Sequence, residues 1–390
     1  MRVLILHNRY RLPGGEDVAV AAQAKLLRER GHDVELVEKD NREIDSYGFL
    51  GKAALFFKMA ENSSASAEVS AIVSRFKPHV AHVHNTLPLL SPSIYAPLKK
   101  SGVKVIQYLH NYRLICPAGT LFRDGAPCTL CVDGGLKHAV KHKCWSNSTF
   151  ATLGLTRMLD RHRRARTWHT HVDLFVALNS YMRELLATKG LVPADKIIVQ
   201  PNYIPLNEIE SGAAREEFVF LGRLTPEKGV ATLLQASRLL PEASVKIIGG
   251  GPLLEELKLR FPAQPSPFLG QLLRDEALAH LQKARALIFP SLWPEGCPTT
   301  ILEAFAYSKP VIASRVPGAT DLVDDGINGA LFEPGDAEGL AACMKRLQDD
   351  EQLAKKLGRA AREKYEKMYS PAAGYTRMEE NFKRLNLAVV

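Results

Sequence analysis

The sequence predicts an α/β protein made of two doubly wound parallel-sheet domains, and three observations carry that prediction. Two sets of short apolar runs alternate with helical stretches along the 390 residues. Between the sets lies Gln200-Pro201-Asn202-Tyr203-Ile204-Pro205, whose two prolines favour an extended segment. Glycine turns then follow three of the runs, at the strand ends where open α/β sheets bind ligands.

The first set predicts strands over residues 3–6, 34–37, 80–83, 103–108, 174–177 and 196–199. The second predicts strands over 218–221, 245–248, 286–289, 311–313 and 330–332, with helices over 230–240 and 299–307. Residues 337–348, 351–368 and 371–387 also read as helical. The chain therefore divides into a domain over 1–200, a linker over 201–205, a domain over 206–370 and a C-terminal helical segment over 371–390.

Composition is that of an ordinary globular chain, with 46% hydrophobic and 24% charged residues, and its length suffices for two sizeable cores. The charge is uneven. Residues 1–200 hold 28 Lys and Arg against 17 Asp and Glu, although the whole chain carries only +9. Eleven of the 12 histidines fall there too. A basic half implies an anionic partner: acidic phospholipid, a lipid diphosphate or nucleic acid. Nucleic acid finds little support, because no interleaved aromatic and basic pattern accompanies the charge. Met1-Arg2 leads straight into a strand and no run of 18 apolar residues occurs, so a cytoplasmic protein is expected.

Two stretches suit a membrane surface. Residues 47–59 are apolar apart from Lys52 and Lys58, and read either as an interfacial helix or as a helix packed on the sheet. Arg157, Arg161, Arg163, Arg164 and Arg166 form either a membrane-facing or a merely solvated basic face.

Glu295 and Glu303 bracket a loop-to-helix junction. Pro294 and Pro298 keep Glu295 on a loop, and the predicted helix places Glu303 one turn inside it. The helix N-terminus between them, around Gly296, Cys297, Pro298, Thr299, Thr300 and Ile301, can hold a phosphate while the carboxylates accept hydrogen bonds from hydroxyls. Otherwise they are a loop carboxylate and a carboxylate favourable to the helix dipole. Upstream, the strand over 218–221 runs into Gly222-Arg223, followed by Lys228-Gly229, two cations able to neutralise a diphosphate. The strand over 245–248 ends in Gly249-Gly250-Gly251-Pro252, a turn that lets backbone approach a flat ligand or is simply tight.

Taken in order with Gly14-Gly15-Glu16 and His110, these motifs resemble the family-4 retaining glycosyltransferases over nearly the whole chain, and the cysteine pattern of Cys116, Cys128, Cys131 and Cys144 resembles that of some bacterial surface-polysaccharide members. The resemblance implies the GT-B fold, two Rossmann-like domains facing across a catalytic cleft, with the last helix, over 371–390, crossing back onto the N-terminal domain. It further implies a nucleotide-diphospho-sugar donor, with a UDP-sugar such as UDP-glucose favoured, retention at the anomeric carbon and no metal at the diphosphate. The acceptor would be a glycan or a polyprenyl-diphosphate-linked glycan, reached from the inner face of an acidic membrane.

By the same resemblance His110 contacts the sugar, Glu295 orients its hydroxyls, Glu303 holds the ribose, and Arg223 with Lys228 stabilises the leaving diphosphate. Gly14 and Gly15 approach the donor from the opposite wall, and Gly270 and Gln271 lie in the base-binding loop. Asn111 stands where the family often has an acid. His110 could instead be a histidine hydrogen-bonded at a strand end, and Gly14-Gly15 a plain turn. An epimerase-like nucleotide-sugar protein is the alternative chemistry.

Cys116, Cys128, Cys131 and Cys144 depart from the common pattern, clustered in an insertion over 116–144. A structural zinc, an iron–sulfur site and four reduced thiols all fit that spacing.

Overall fold

The computed structural model describes residues 1–11, 14–205, 217–262 and 266–388. The predicted domain start at residue 206 and the last two residues of the C-terminal segment lie outside them. The chain forms two compact units, one of Met1–Leu121, Cys128–Asn202 and Gly374–Val390, the other of Phe122–Pro127 and Tyr203–Ala373.

The strands are β1 (Arg2–Arg9), β2 (Asp33–Asp40), β3 (Val80–Val83), β4 (Lys104–Leu109), β5 (Phe122–Arg123), β6 (Ala126–Pro127), β7 (Leu174–Ala177), β8 (Ile197–Val199), β9 (Phe218–Leu221), β10 (Val245–Ile248), β11 (Phe268–Gly270), β12 (Ala286–Phe289), β13 (Val311–Ser314) and β14 (Gly329–Phe332). The helices are α1 (Gly15–Glu29), α2 (Phe49–Lys58), α3 (Ser63–Phe76), α4 (Tyr95–Lys100), α5 (Leu130–Gly134), α6 (Lys137–Lys141), α7 (Thr149–Arg164), α8 (Thr167–His171), α9 (Ser180–Thr188), α10 (Val230–Leu239), α11 (Leu254–Arg260), α12 (Arg274–Lys283), α13 (Thr299–Ala306), α14 (Ala337–Asp349), α15 (Glu351–Met368) and α16 (Pro371–Arg384).

Each unit holds one parallel six-stranded sheet, in the orders β2-β1-β3-β4-β7-β8 and β11-β10-β9-β12-β13-β14. Strands such as β3, β7, β12 and β13 are buried along their whole length, which is why they read as continuous apolar runs. Both orders reverse direction once, between β1 and β3 and between β9 and β12. Such reversals open crevices beyond the strands' carboxyl ends, where ligands bind.

Two features exceed the sequence reading. β1 continues through His7 and Asn8 to Arg9, paired with β2 as far as Asp40. Its polar end is buried because it is satisfied: Asn8 Nδ2 donates to Asn41 Oδ1 at 2.6 Å, and Asn8 Oδ1 accepts from the Leu89 N–H at 2.8 Å. The second concerns the predicted linker. Tyr203 and Ile204 are buried in the second unit, where the Tyr365 hydroxyl donates to the Ile204 carbonyl at 2.9 Å. Residues from Gly374 onward pack within the first unit, with Met378 and Phe382 fully buried, Phe382 stacked on His82 and Asn381 Nδ2 donating to Gln200 Oε1 at 2.6 Å.

Candidate active site

In the second unit the loops after β9 and β12 meet at the sheet's reversal. The loop after β12 carries Glu295, whose side chain is only 6% exposed. Its Oε1 accepts from Lys228 Nζ at 2.7 Å, Ser291 Oγ at 2.6 Å and Trp293 Nε1 at 2.7 Å. Lys228 comes from the β9 loop and lies near the Trp293 ring as well. The backbone is equally constrained. The Glu295 N–H donates to the Pro317 carbonyl, and a Cβ at Gly318, where φ is +83°, would meet the Glu295 carbonyl at 2.5 Å. Arg223, by contrast, is exposed and makes no hydrogen bond or ion pair with the described residues.

α13 starts directly after Pro298, and no side chain caps its N-terminus. It is buried from Ile301 to Ala306, including Glu303. Glu303 Oε1 accepts from Arg274 Nη2 of α12 at 2.6 Å. Burial pushes the Glu303 carboxyl up, against the pull of the Arg274 guanidinium. The glycine turn after β10 fits closely against the β9 loop: a Cβ at Gly249 would lie 1.9 Å from the Gly222 carbonyl, and one at Gly251 2.5 Å from that of Leu224. Gly250 N–H donates to Gln271 Oε1 at 3.2 Å, and Gly249 N–H to the Gly270 carbonyl at 2.8 Å, which joins the two predicted base-side segments. An exposed guanidinium and an uncapped helix N-terminus beside two buried, anchored carboxylates can take a ligand that is anionic at its centre and hydroxylated at its ends.

In the first unit, histidines gather where β1, β3 and β4 end. Gln23 Oε1 accepts from His82 Nδ1 at 3.0 Å and from His84 Nε2 at 3.1 Å. With that oxygen as acceptor, His84 keeps its bare nitrogen at Nδ1, which lies 2.8 Å from His110 Nε2. His110 therefore donates from Nε2 and keeps Nδ1 as an acceptor. All three rings are held neutral: burial lowers His110, lowers His84 well below the usual histidine range, and brings His82 down to about 3. Nearby, Asn111 Nδ2 donates to the Tyr10 hydroxyl at 3.0 Å, and that hydroxyl donates to Glu16 Oε2 at 2.8 Å. A carboxylate is thus linked to Asn111 through Tyr10.

Gly14 lies at the turn that leads into α1. Its N–H donates to Asp17 Oδ2 at 2.8 Å in the box that starts α1, and a Cβ there would touch nothing within 4 Å. Asp17 also accepts from His7 Nε2 at 2.9 Å. Burial pushes the Asp17 carboxyl up, but these hydrogen bonds outweigh it and hold the group low.

The four clustered cysteines form no disulfide. Burial, then Cys116, Cys144 and Cys128, push the Cys131 thiol up to about 11. Among the described residues no group of three or more His, Cys, Asp or Glu is disposed to hold a metal ion. The arginine run is largely engaged: Arg161 pairs with Glu61, Arg163 donates to the Leu114 carbonyl, and Arg157 lies over the Phe57 ring.

The sequence reading missed Arg274, Ser291, Trp293 and Gly318, and missed Gln23, His82 and His84 behind His110. Only three of these leave a local trace: Pro317-Gly318 is a turn dipeptide, and His82 and His84 alternate along and beyond a strand.

Residues 13–208 match the family described as Glycosyltransferase Family 4, and residues 207–364 the family described as Glycosyl transferases group 1. The sulfoquinovosyl transferase SQD2 of Arabidopsis thaliana is 34% identical over 152 residues, covering 38% of this chain and 30% of that protein. The amylovoran biosynthesis glycosyltransferase AmsK of Erwinia amylovora is 30% identical over 231 residues, covering 55% and 56%. The match thus spans from under a third to just over half the length of these relatives. Among solved structures, Anabaena HepE in complex with UDP shares the fold, with a TM-score of 0.69 and 17% identity over 98% of this chain and 100% of that one. With the paired six-stranded sheets and the two family matches together, the chain belongs to the family-4 glycosyltransferases and has the GT-B fold.

Proposed function

We propose that this protein is a retaining glycosyltransferase that moves a sugar from a nucleoside-diphosphate donor, UDP-glucose or a related UDP-sugar, to a hydroxyl of a growing polysaccharide. The acceptor in this reading is a glycan or a polyprenyl-diphosphate-linked glycan at the inner face of an acidic membrane. The observation that carries it is the second-unit constellation: exposed Arg223 and the uncapped start of α13 beside the anchored carboxylates Glu295 and Glu303.

Glu303 accepts hydrogen bonds from the ribose hydroxyls, while the turn Gly249 to Pro252 and the segment Gly270-Gln271 flank the base. The diphosphate lies between Arg223, Lys228 and the N–H groups at the start of α13. These supply the positive charge that a divalent metal would otherwise provide as the leaving group gains charge. Glu295 accepts from hydroxyls of the donor sugar, and in the first unit the bare Nδ1 of His110 is available to accept from a sugar hydroxyl.

The acceptor oxygen attacks the anomeric carbon on the face from which the diphosphate leaves. The carbon–oxygen bond to phosphate breaks, the new glycosidic bond forms, and the acceptor's proton passes to a diphosphate oxygen. AmsK, named for amylovoran biosynthesis, and HepE, solved with UDP and with UDP-glucose, favour this donor and setting.

A thermal-shift screen across nucleotide sugars tests the reading. The donor should stabilise by about 2.7 kcal/mol at a hundredfold excess over its dissociation constant. Proton spectra of the product formed with that donor should show the donor's anomeric configuration. Inverted configuration, or sugar conversion without any acceptor, would refute it.

A further inference from the structure

We propose that α2 and the start of α7 form a bilayer-docking surface that seats this chain on membranes bearing anionic phospholipid. Large apolar side chains crowd this one place. Phe49 is 86% exposed, Leu50 81% and Phe57 62% on α2, with Phe150 and Leu153 exposed on the adjoining face of α7. Leu50, Ala54 and Phe57 recur at helical spacing and form an exposed apolar stripe.

The tips are held on a rigid base. Phe56 is buried, with its ring stacked on Phe150 at 4.6 Å and edge-on to Phe57 at 5.1 Å. Gly154 makes the helix contact close: a Cβ there would meet Met59 Cε at 2.5 Å and Phe56 Cδ2 at 2.9 Å. Exposure of Phe49, Leu50 and Phe57 is thus not slack in a loose helix. The helix is pinned through its inner face and presents the outer one.

Charge selects the occupant. Residues 46–60 and 134–159 carry Lys52, Lys58, Lys137, Lys141, Lys143 and Arg157, and no Asp or Glu. α6, which bears Lys137 and Lys141, packs on α7. Aromatic and leucine tips set among lysines whose stems can lie along apolar surface match the boundary between headgroups and acyl chains. A second copy of the chain would bring like charge against like charge, which disfavours self-pairing. The surface lies within the first unit and is independent of the donor residues, so its failure and that of the proposed reaction are separable.

The test is co-sedimentation of the full chain with vesicles of phosphatidylcholine alone or mixed with phosphatidylglycerol. Retention is expected on the mixed vesicles, weakening as salt rises. Phe49→Ser with Leu50→Ser should lower the bound fraction about tenfold, since two exposed apolar side chains no longer insert. Lys52→Glu with Lys58→Glu should abolish the preference for phosphatidylglycerol. Both pairs lie on an exposed face, so unchanged melting temperatures and an unchanged nucleotide-induced shift should accompany the loss. Failure of the wild-type chain to bind mixed vesicles, or equal retention of the Phe49 and Leu50 variant, overturns the proposal. So does a concentration-dependent dimer that these substitutions dissolve while vesicle binding persists.

Discussion

Lys228 Nζ lies 2.7 Å from Glu295 Oε1, on a carboxylate oxygen that Ser291 and Trp293 also reach. Both charges are largely out of water, with 18% and 6% of their side chains exposed. Removing one partner strands the other. Lys228→Ala should destabilise the fold by about 3 kcal/mol, and adding Glu295→Gln should recover part of that loss. Chemical denaturation of the two single variants and the double variant measures the coupling; additive losses would mean that the pair contributes nothing.

Arg274 and Glu303 form the second pair, and here the consequence is a pH dependence. Burial raises the Glu303 carboxyl and Arg274 opposes the rise, so Arg274→Ala should raise it further. A carboxylate that holds ribose hydroxyls does so best when ionised, and its hold weakens as pH falls through its pKa. UDP affinity in Arg274→Ala should therefore be lost at a higher pH than in the unsubstituted chain. Titrations across acidic pH read the displacement, and coincident profiles would remove Arg274 from this role.

The histidine group in the first unit makes stability sensitive to acid. His82, neutral when folded down to about pH 3, titrates near 6.5 when unfolded, so below pH 6.5 the unfolded chain binds more protons. Stability should fall as pH drops through that window, by about 2 kcal/mol from His82 alone between pH 6.5 and 5. His82→Gln should flatten the slope of melting temperature against pH. His84→Gln should instead disturb the tautomer of His110, and so shift the pH profile of activity as well.

Gly249 and Gly14 should respond differently to alanine. At Gly249, with φ at +142°, the added carbon would overlap the Gly222 carbonyl at 1.9 Å, whereas at Gly14 nothing lies within 4 Å. Gly249→Ala should cost on the order of 3 kcal/mol and weaken nucleotide binding with it. Gly14→Ala should cost under about 1 kcal/mol, as expected for a helix N-cap that loses only its glycine. Melting temperatures of the two variants make the comparison.

Both sheets were legible because buried parallel strands leave continuous apolar runs, and the loops around Arg223, Gly249 and Glu295 announced themselves through glycine and proline. What escaped depends on partners far apart in sequence. Arg274 reaches Glu303 across 29 positions, and Gln23 reaches His84 across 61. No local pattern distinguishes such a residue from a surface arginine or glutamine. The polar end of β1 escaped for a related reason: Asn8 is buried because specific hydrogen bonds satisfy it, and His7 is buried with its Nε2 on Asp17, neither of which an apolar run can reveal. The arginine run leaves Arg157, Arg164 and Arg166 exposed as its composition suggests, whereas the contacts of Arg161 with Glu61 and of Arg163 with the Leu114 carbonyl leave no local pattern.

Calorimetric titration of UDP into the purified protein and into Glu303→Gln tests the donor site most directly. The unsubstituted chain should bind UDP saturably at one site, and the substitution should weaken binding about tenfold, as loss of a charge-assisted hydrogen bond does. Undetectable binding to the unsubstituted chain, or equal affinity for both proteins, would contradict the placement of a nucleotide sugar against Glu303.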